Sequence, residues 1–194
     1  MAFAAWPAEA RARAARAART PTAIAGVSTV RLEPRRDSRG TVMESFRAEW
    51  KTGFAPAQWS ALVSEPGVLR GLHVHPRHMD YVALVAGRCT TVLCDLRPAS
   101  PDHGAVVVLE QHEDTPLGIT IPNGVLHGFL YHEPTVQLLG LSHGYDPEDE
   151  LGCRFDDPEL AIPWPAPPRQ LSPRDRGLPS LAELRAALAT RAGA

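Results

Sequence analysis

Cysteine is scarce in this chain of 194 residues, and its scarcity excludes two classes of small protein. The three cysteines, Cys89, Cys94 and Cys153, are odd in number and lack paired spacing, so neither a disulfide framework nor a zinc knuckle is expected. Cys89 and Cys94 fall in strand-like sequence and are predicted to be core residues. Reduced thiols are typical of the cytoplasm, which is the predicted location.

The chain also lacks a strong excess of charge and a long hydrophobic run. It carries 20 Lys and Arg against 22 Asp and Glu, a net charge of −2, which gives no electrostatic reason to expect a nucleic-acid partner. No run of 18 apolar residues occurs, so neither a transmembrane helix nor a membrane partner is expected. Hydrophobic residues make up 44% of the chain, enough for one domain with a sizeable core.

Helix is predicted only at the two ends of the chain. Residues 1–24 begin with "MAFAAWPAEARARAARAART", which predicts a helical extension because alanine is the best helix former. A targeting peptide is the alternative, since the segment is Arg-rich and nearly free of acids. Residues 25–188 are predicted to form the main domain and residues 189–194 a C-terminal tail. Ser180 and Glu183 form a capping-box pattern at the start of a C-terminal helix.

The rest of the chain indicates many short strands. Nineteen prolines and fifteen glycines separate apolar runs such as "YVALVAG", "CTTVLCDL" and "VQLLGLS". These runs are rich in Val, Leu and Thr, and little helix lies between them. The regular spacing favours an antiparallel sandwich or barrel over βαβ units, so the predicted fold class is all-β.

The stretch "RGLHVHPRHMDYVALVAG", residues 70–87, concentrates the imidazoles of the chain. His73 and His75 are two apart and would point to the same face of a strand. Asp80 follows after a turn at Pro76. Three interpretations stay open at this point: the side chains bind a metal, one of them moves a proton, or they are ordinary histidines at a turn.

Two motifs resemble those of the cupin superfamily. The first is His-x-His, four residues, an acid, six residues and Gly, and the second is Pro-x-Gly-x-x-His in "IPNGVLHGF". The resemblance implies a jelly-roll barrel, and in metal-binding cupins these positions hold Mn, Fe, Ni or Zn. Histidine with a carboxylate also suits such metals on chemical grounds. The candidate ligands of a divalent metal are His73, His75, Asp80 and His127.

A more specific resemblance covers residues 25–188. In chain order, "DSRGTVMESF", "GVLRGLH", "DLRPASPDHG", "IPNGVLHGF", "YDPEDELGCRFDDPELAIPWP" and "LSPRDRGLPSLAEL" look like the dTDP-4-dehydrorhamnose 3,5-epimerase family of cupins. The resemblance implies a cupin-type jelly roll, a homodimer that exchanges strands, and a nucleotide-linked 4-keto sugar as substrate. It implies no cofactor, so a divalent metal remains the alternative.

The same resemblance implies roles for individual residues. His73 matches the base that removes the proton α to the 4-keto group, and Asp175 matches the aspartate that holds it. Imidazole suits this chemistry because its pKa lies near neutrality, and a carboxylate fixes its tautomer. Arg39 and Arg70 match arginines that hold the diphosphate, which guanidinium binds bidentately. The other implied substrate contacts are Glu44, Gln58, His127, Phe129 and Tyr145, with Asp95 as a buried carboxylate of the pocket.

Two positions depart from the family. Asp80 stands where the family has a lysine that stabilises the enolate oxygen, and Leu139 stands where it has the tyrosine that acts as the acid on the opposite face. With a one-residue deletion, Leu138 or Gly140 would take that place instead. The candidates to replace the missing phenol are Tyr81 and Tyr131.

Three functions follow from these patterns. The first is an epimerase of a nucleotide-linked 4-keto-6-deoxy sugar, with dTDP as the expected nucleotide, acting on one carbon or two. The second is a metal-dependent cupin enzyme of another class, such as a dioxygenase, lyase or cyclase. The third is a non-catalytic homologue that binds sugar nucleotides.

Overall fold

The computed structural model describes residues 20–192. Residues 1–19 of the predicted helical extension lie outside this range. In the remaining part of that extension, Thr20–Pro21 form a short strand and residues 22–24 are not helical. The chain therefore enters the sheet slightly before the predicted domain boundary. No helix among the described residues is long and apolar enough to cross a membrane.

Strands dominate the described part of the chain. In order they are β1 (Thr20–Pro21), β2 (Ser28–Arg31), β3 (Arg35–Asp37), β4 (Gly40–Val42), β5 (Gln58–Ser64), β6 (Leu69–Val74), β7 (Asp80–Ala86), β8 (Arg88–Asp95), β9 (Val106–His112), β10 (Leu117–Ile121), β11 (Val125–Tyr131), β12 (Thr135–Leu141) and β13 (Leu151–Gly152). The α-helices are α1 (Pro173–Arg176) and α2 (Leu181–Ala192), and 3-10 turns cover Ala48–Trp50 and Pro147–Asp149.

The strands build two antiparallel sheets. One has the order β1-β2-β10-β7-β12-β5 and the other the order β13-β6-β11-β8-β9, while β3 and β4 form a separate hairpin. Consecutive strands such as β7 and β8 lie in different sheets, as expected of a jelly roll. The all-β prediction is confirmed.

The main core lies between the two sheets. Val82 and Leu84 of β7 pack there with Leu93 of β8 and Phe129 of β11, all of them buried. Alternation explains this, because every second side chain of a strand faces the other sheet. Cys89 and Cys94 are buried, as predicted, and Cys153 is buried as well; all three are free thiols, and burial raises the pKa of Cys89 to about 12.

A second apolar cluster covers the outer face of the smaller sheet. Leu72 and Val74 of β6 pack with Leu181 and Leu184 of α2. Glu183 Oε2 accepts from Ser180 N at 2.8 Å, and Ser180 Oγ accepts from Glu183 N at 3.3 Å, which confirms the predicted capping box. Helix α2 continues to Ala192, four residues beyond the predicted end of the domain at residue 188.

An irregularity at Gly71 sets which side chains of β6 face inward. Gly71 has φ of 122°, and a Cβ on it would lie 2.8 Å from Gly128 Cα and from His127 O. Only glycine fits there. The pairing of β6 with β11 shifts register at this point. As a result Arg70 and His73, three residues apart, both line the cavity described next.

Candidate active site

A cavity of about 570 Å³ opens at one end of the barrel. Strands β5, β6, β11 and β12 supply most of its wall, and the segment 170–175 closes one side. This segment is fixed to the barrel because Leu69 N donates to Gln170 O at 3.0 Å. The predicted catalytic and metal-binding side chains all line the cavity: His73, His75, Asp80, His127 and Asp175.

His73 and Asp175 meet inside this cavity. His73 Nε2 lies 2.7 Å from Asp175 Oδ1, and the side chains are 19% and 5% exposed. Because a carboxylate only accepts, Nε2 carries the proton in this contact and Nδ1 is left to act as the base. The arrangement can remove a proton from a bound molecule and stabilise the imidazolium that results.

Helix α1 holds Asp175 in place. The Ser172 side chain caps this helix by accepting from Asp175 N at 3.0 Å. Burial acts to raise the pKa of Asp175, but the hydrogen bonds with His73 and Ser172 outweigh it and lower that pKa below its ordinary value. Asp175 is therefore an anion at neutral pH, as an orienting partner for His73 must be.

Arg70 lies on the cavity wall, and two nitrogens of its guanidinium group are hydrogen-bonded to β5. Its Nε donates to Ser64 Oγ at 3.0 Å and its Nη2 to Val63 O at 3.2 Å. These contacts fix the plane of the guanidinium at the cavity wall, where its positive charge suits an anion bound in the cavity.

Three more of the predicted substrate contacts line the cavity. Phe129 is 5% exposed and supplies an apolar wall, while Tyr145 is 55% exposed at the mouth. Gln58 Oε1 accepts from Tyr145 N at 2.8 Å, which ties the loop after β12 to the edge strand β5. The predicted pocket is thus assembled from distant parts of the sequence.

Three predicted pocket residues lie elsewhere in the described chain. Arg39 sits at the exposed tip of the β3–β4 hairpin and pairs with Asp37. Glu44 pairs with Arg47 at 2.9 Å. Asp95 is buried as predicted, but it accepts from Arg97 at the end of β8 and lines no part of the cavity. The pocket role of Asp95 was wrong, because this carboxylate fixes the loop after β8 instead.

His75, Asp80 and His127 converge on one point at the cavity wall. Asp80 Oδ2 lies 3.4 Å from His75 Nε2 and 3.4 Å from His127 Nε2, and all three side chains are at least 90% buried. Burial is the main reason that the pKa of His75 falls to about 3 and that of His127 to about 4. Within residues 20–192 His73 belongs to no such group of ligand atoms, so the structure brings together three of the four predicted metal ligands.

His78 and Asp149 support this group from behind. His78 Nδ1 lies 2.8 Å from Asp149 Oδ2, and His78 Nε2 lies 3.4 Å from Asp80 Oδ1. Burial acts to lower the pKa of His78, but Asp80 and Asp149 together raise it above its ordinary value. Neither residue was predicted to have a role, although His78 lies between His75 and Asp80 and Asp149 follows the "YDP" motif.

Neither Tyr81 nor Tyr131 replaces the missing family phenol in the cavity. Leu139 lines the cavity at the position of the family tyrosine. Tyr81 is buried and donates to Ser45 O at 2.9 Å, and Tyr131 is buried and donates to Gln137 Oε1 at 2.7 Å. Neither lines the cavity, because both hydroxyls are used inside the core.

Arg174 and Glu150 are cavity residues that the sequence analysis did not identify. Arg174 Nη1 donates to Glu150 Oε2 at 3.0 Å, and Glu150 Oε1 lies 3.3 Å from His75 Nδ1. A signal was present, since Arg174 directly precedes Asp175 in "LSPRD" and Glu150 follows the "YDP" motif.

Comparison with known proteins points to one family. Residues 21–183 match the family model described as dTDP-4-dehydrorhamnose 3,5-epimerase. A dTDP-4-dehydrorhamnose 3-epimerase of Streptomyces niveus is 36% identical over 177 residues, which cover 85% of this chain and 84% of that protein. A dTDP-4-dehydrorhamnose 3,5-epimerase of Mycobacterium tuberculosis is 36% identical over 166 residues, with coverage of 77% and 80%.

Solved structures agree with these relatives. NovW, a 4-keto-6-deoxy sugar epimerase of Streptomyces spheroides, superposes with a TM-score of 0.79 at 32% identity, covering 87% of this chain and 89% of that one. ChmJ, a 3′-monoepimerase of Streptomyces bikiniensis solved with dTDP-quinovose, superposes with a TM-score of 0.76 at 29% identity, with coverage of 89% and 90%.

Proposed function

Because this chain belongs to the dTDP-4-dehydrorhamnose 3,5-epimerase family, as its sequence motifs predicted, we propose that it epimerises a dTDP-linked 4-keto-6-deoxy sugar at C3. The observation that carries the proposal is the contact of 2.7 Å between His73 Nε2 and Asp175 Oδ1 inside the cavity. The choice of one carbon is supported by relatives that are 3-epimerases and by leucine at the position of the family tyrosine.

The reaction begins with proton transfer from C3 to His73 Nδ1. The electrons of the C–H bond move toward the 4-ketone and form an enolate, while Asp175 stabilises the imidazolium. A proton returned to the opposite face inverts C3, and one returned to the same face restores the substrate. Tyr145 is the one tyrosine of the three that lines the cavity, so we assign it the donation on the opposite face.

We also propose that the active form is a homodimer in which Arg39 and Glu44 serve the cavity of the partner subunit. Both lie away from the cavity of their own chain. The hairpin that carries Arg39 and the edge strand β5 expose large apolar side chains, with Val42 and Val63 each 69% exposed. Such side chains on an unpaired sheet edge suit a second copy of the chain.

Complementation tests the shared site. Arg39→Ala and Asp175→Asn are each expected to be inactive as homodimers. In a mixed dimer, the cavity of the Arg39→Ala subunit keeps its own Asp175 and receives Arg39 from the other subunit. Activity should therefore return in the mixed dimer. If Arg39 acted within its own chain, both cavities would stay defective and no activity would return.

Solvent deuterium uptake tests the reaction itself. The full chain is incubated in D₂O with dTDP-4-dehydro-6-deoxyglucose, and NMR follows the label at C3 and C5 separately. Label and inversion at C3 are expected. Inversion at both carbons would change the assignment to a 3,5-epimerase, and binding without any label would identify a non-catalytic sugar-nucleotide protein.

We also propose a cytoplasmic location, which the free buried thiols support.

A further inference from the structure

We propose that His75, Asp80 and His127 bind one divalent transition-metal ion at the wall of the cavity. The ion is of the class that prefers imidazole with one carboxylate, such as Zn²⁺, Co²⁺ or Ni²⁺. This inference concerns binding and does not depend on the epimerase proposal. The family resemblance implies no metal, so the site is a property of this chain's own residues.

Hydrogen bonding fixes the direction in which both imidazoles present their lone pairs. His127 Nδ1 lies 3.1 Å from Val125 O, and His75 Nδ1 lies 3.3 Å from Asp149 O. A carbonyl oxygen only accepts, so Nδ1 carries the proton in both neutral rings. Each Nε2 therefore turns a lone pair toward Asp80 Oδ2. Lone pairs from two rings and a carboxylate then face one another, an arrangement that favours a cation between them.

The distances match a metal site better than a hydrogen bond. Ligands bound at about 2.0–2.2 Å in tetrahedral geometry lie about 3.3 Å apart. Asp80 Oδ2 lies 3.4 Å from the Nε2 atoms of both His75 and His127, and the three ligand atoms all lie within 4.8 Å of one another. A proton shared between a ring nitrogen and a carboxylate would draw them to about 2.7–2.9 Å.

The residues behind the three ligands are arranged like the supporting residues that surround the ligands of a metal site. Asp80 Oδ1 and His78 Nε2 are buried and make no hydrogen bond in the described structure, although they lie 3.4 Å apart. His78 is itself oriented by Asp149 Oδ2 at 2.8 Å. If Oδ2 binds an ion, the His78 ring, held by Asp149, lies against the other oxygen of the same carboxylate, where the supporting partners of metal ligands lie.

The site faces the substrate cavity, because all three ligands line it. When bound, such an ion supplies a Lewis acid with open coordination positions. His73 lies near the end of β6, two residues before His75, and its ring pairs with Asp175 outside the ligand group.

Metal binding by the intact chain tests the proposal. The full chain is made without a metal-affinity tag, stripped with chelator and then equilibrated with Zn²⁺ or Co²⁺. Bound metal is counted by mass spectrometry, melting temperature is followed against metal concentration, and Co²⁺ is also monitored by its visible ligand-field absorption. One equivalent and a rise in melting temperature are expected, since a ligand that binds only the native state stabilises it.

Variants separate the three ligands from their surroundings. His127→Gln and Asp80→Asn should each weaken binding more than 100-fold, because loss of a supporting partner alone costs about 10- to 100-fold. His78→Gln should fall within that smaller range. His112→Gln is the matched control, since His112 is half-exposed and pairs with Asp114 outside the cavity. Melting without metal confirms that each variant folds.

Two results would overturn the proposal. The first is uptake of less than about a tenth of an equivalent by the wild-type chain at saturating metal. The second is unchanged binding in His127→Gln and Asp80→Asn, with loss in His143→Gln, which would place the ion at His78, His143 and Asp149 instead. Deuterium uptake by the stripped chain is measured separately, so failure of the metal site and failure of the proposed epimerase are distinguishable.

Discussion

Replacing Asp175 by asparagine examines the central contact of the proposed reaction with little change in shape. Asp175 Oδ1 lies 2.7 Å from His73 Nε2, and the carboxylate is 5% exposed, so no water can take over its role. The amide loses the negative charge that stabilises the imidazolium. Its NH₂ group can also donate to Nε2, which would leave the ring proton on Nδ1 and remove the base.

The expected loss can be calculated from the geometry. Two unit charges about 4 Å apart, the separation of an imidazolium centre and a hydrogen-bonded carboxylate, attract by about 4 kcal/mol at an effective dielectric constant of about 20. That energy corresponds to about 10³-fold in rate, and residual dipole interactions of the amide reduce it. We expect Asp175→Asn to lower kcat about 10²- to 10³-fold and to change KM little, because Asp175 acts on the proposed proton transfer through His73.

The assay is deuterium uptake at C3 measured by NMR, with saturating substrate and a parallel melting curve. Asp156→Asn is the control, since Asp156 is a surface carboxylate paired with Arg154. It removes the same charge and should keep wild-type exchange. If Asp175→Asn kept more than about a third of the wild-type rate with an unchanged melting temperature, His73 would not depend on this carboxylate and the proposed proton transfer would be refuted.

Further predictions concern the pocket and the frame that holds it. Arg70→Gln should raise KM about 10- to 100-fold and leave kcat within a few-fold in steady-state kinetics, because it removes a charge-assisted contact of about 1.5–3 kcal/mol with the diphosphate. Leu139→Tyr restores a phenol at the position of the family tyrosine and should add inversion at C5, because inversion at C3 is already assigned to Tyr145; product that NMR shows to be inverted at C3 alone would argue against an acid at this position. Burial acts to raise the pKa of Asp95, but its contacts with Arg97 lower that pKa below its ordinary value. The ionised carboxylate therefore stabilises the folded state above about pH 4, and this contribution is lost as pH falls through the lowered pKa. Asp95→Asn should therefore cost about 2–4 kcal/mol in urea unfolding at pH 7 and progressively less below pH 4, and a constant difference would contradict this account. Gly71→Ala should lower the free energy of unfolding by about 2–4 kcal/mol, and a neutral result in urea unfolding would show that the backbone can relax there.

Much of the fold was readable from sequence because its signals are local. Alternation and turn residues predicted the strands, and the pattern of Ser180 and Glu183 predicted the helix cap. The helix predicted for residues 1–24 is absent at residues 20–24. A propensity for helix could not reveal that Thr20–Pro21 pair with β2, because sheet pairing depends on a distant strand.

The candidate site could be predicted only in part from the sequence. His73 and Asp175 were named through ordered motifs, but no local pattern could show that residues 102 positions apart meet at 2.7 Å. Asp95 was misplaced because burial alone does not say which face of the sheet a carboxylate serves. Arg174 was not identified, although it directly precedes Asp175 in "LSPRD", because sequence order does not show that its side chain lines the cavity and pairs with Glu150.

The sequence by itself determined the family, the all-β class and the residue types available for proton transfer, since these depend on composition and short-range order. The tertiary structure decided which side chains share a cavity. A shift of register at Gly71 turns Arg70 and His73 to one side, and two backbone carbonyls orient the lone pairs of His75 and His127. Contacts of this kind arise between strands far apart in the chain, and so they exist only once the chain has folded.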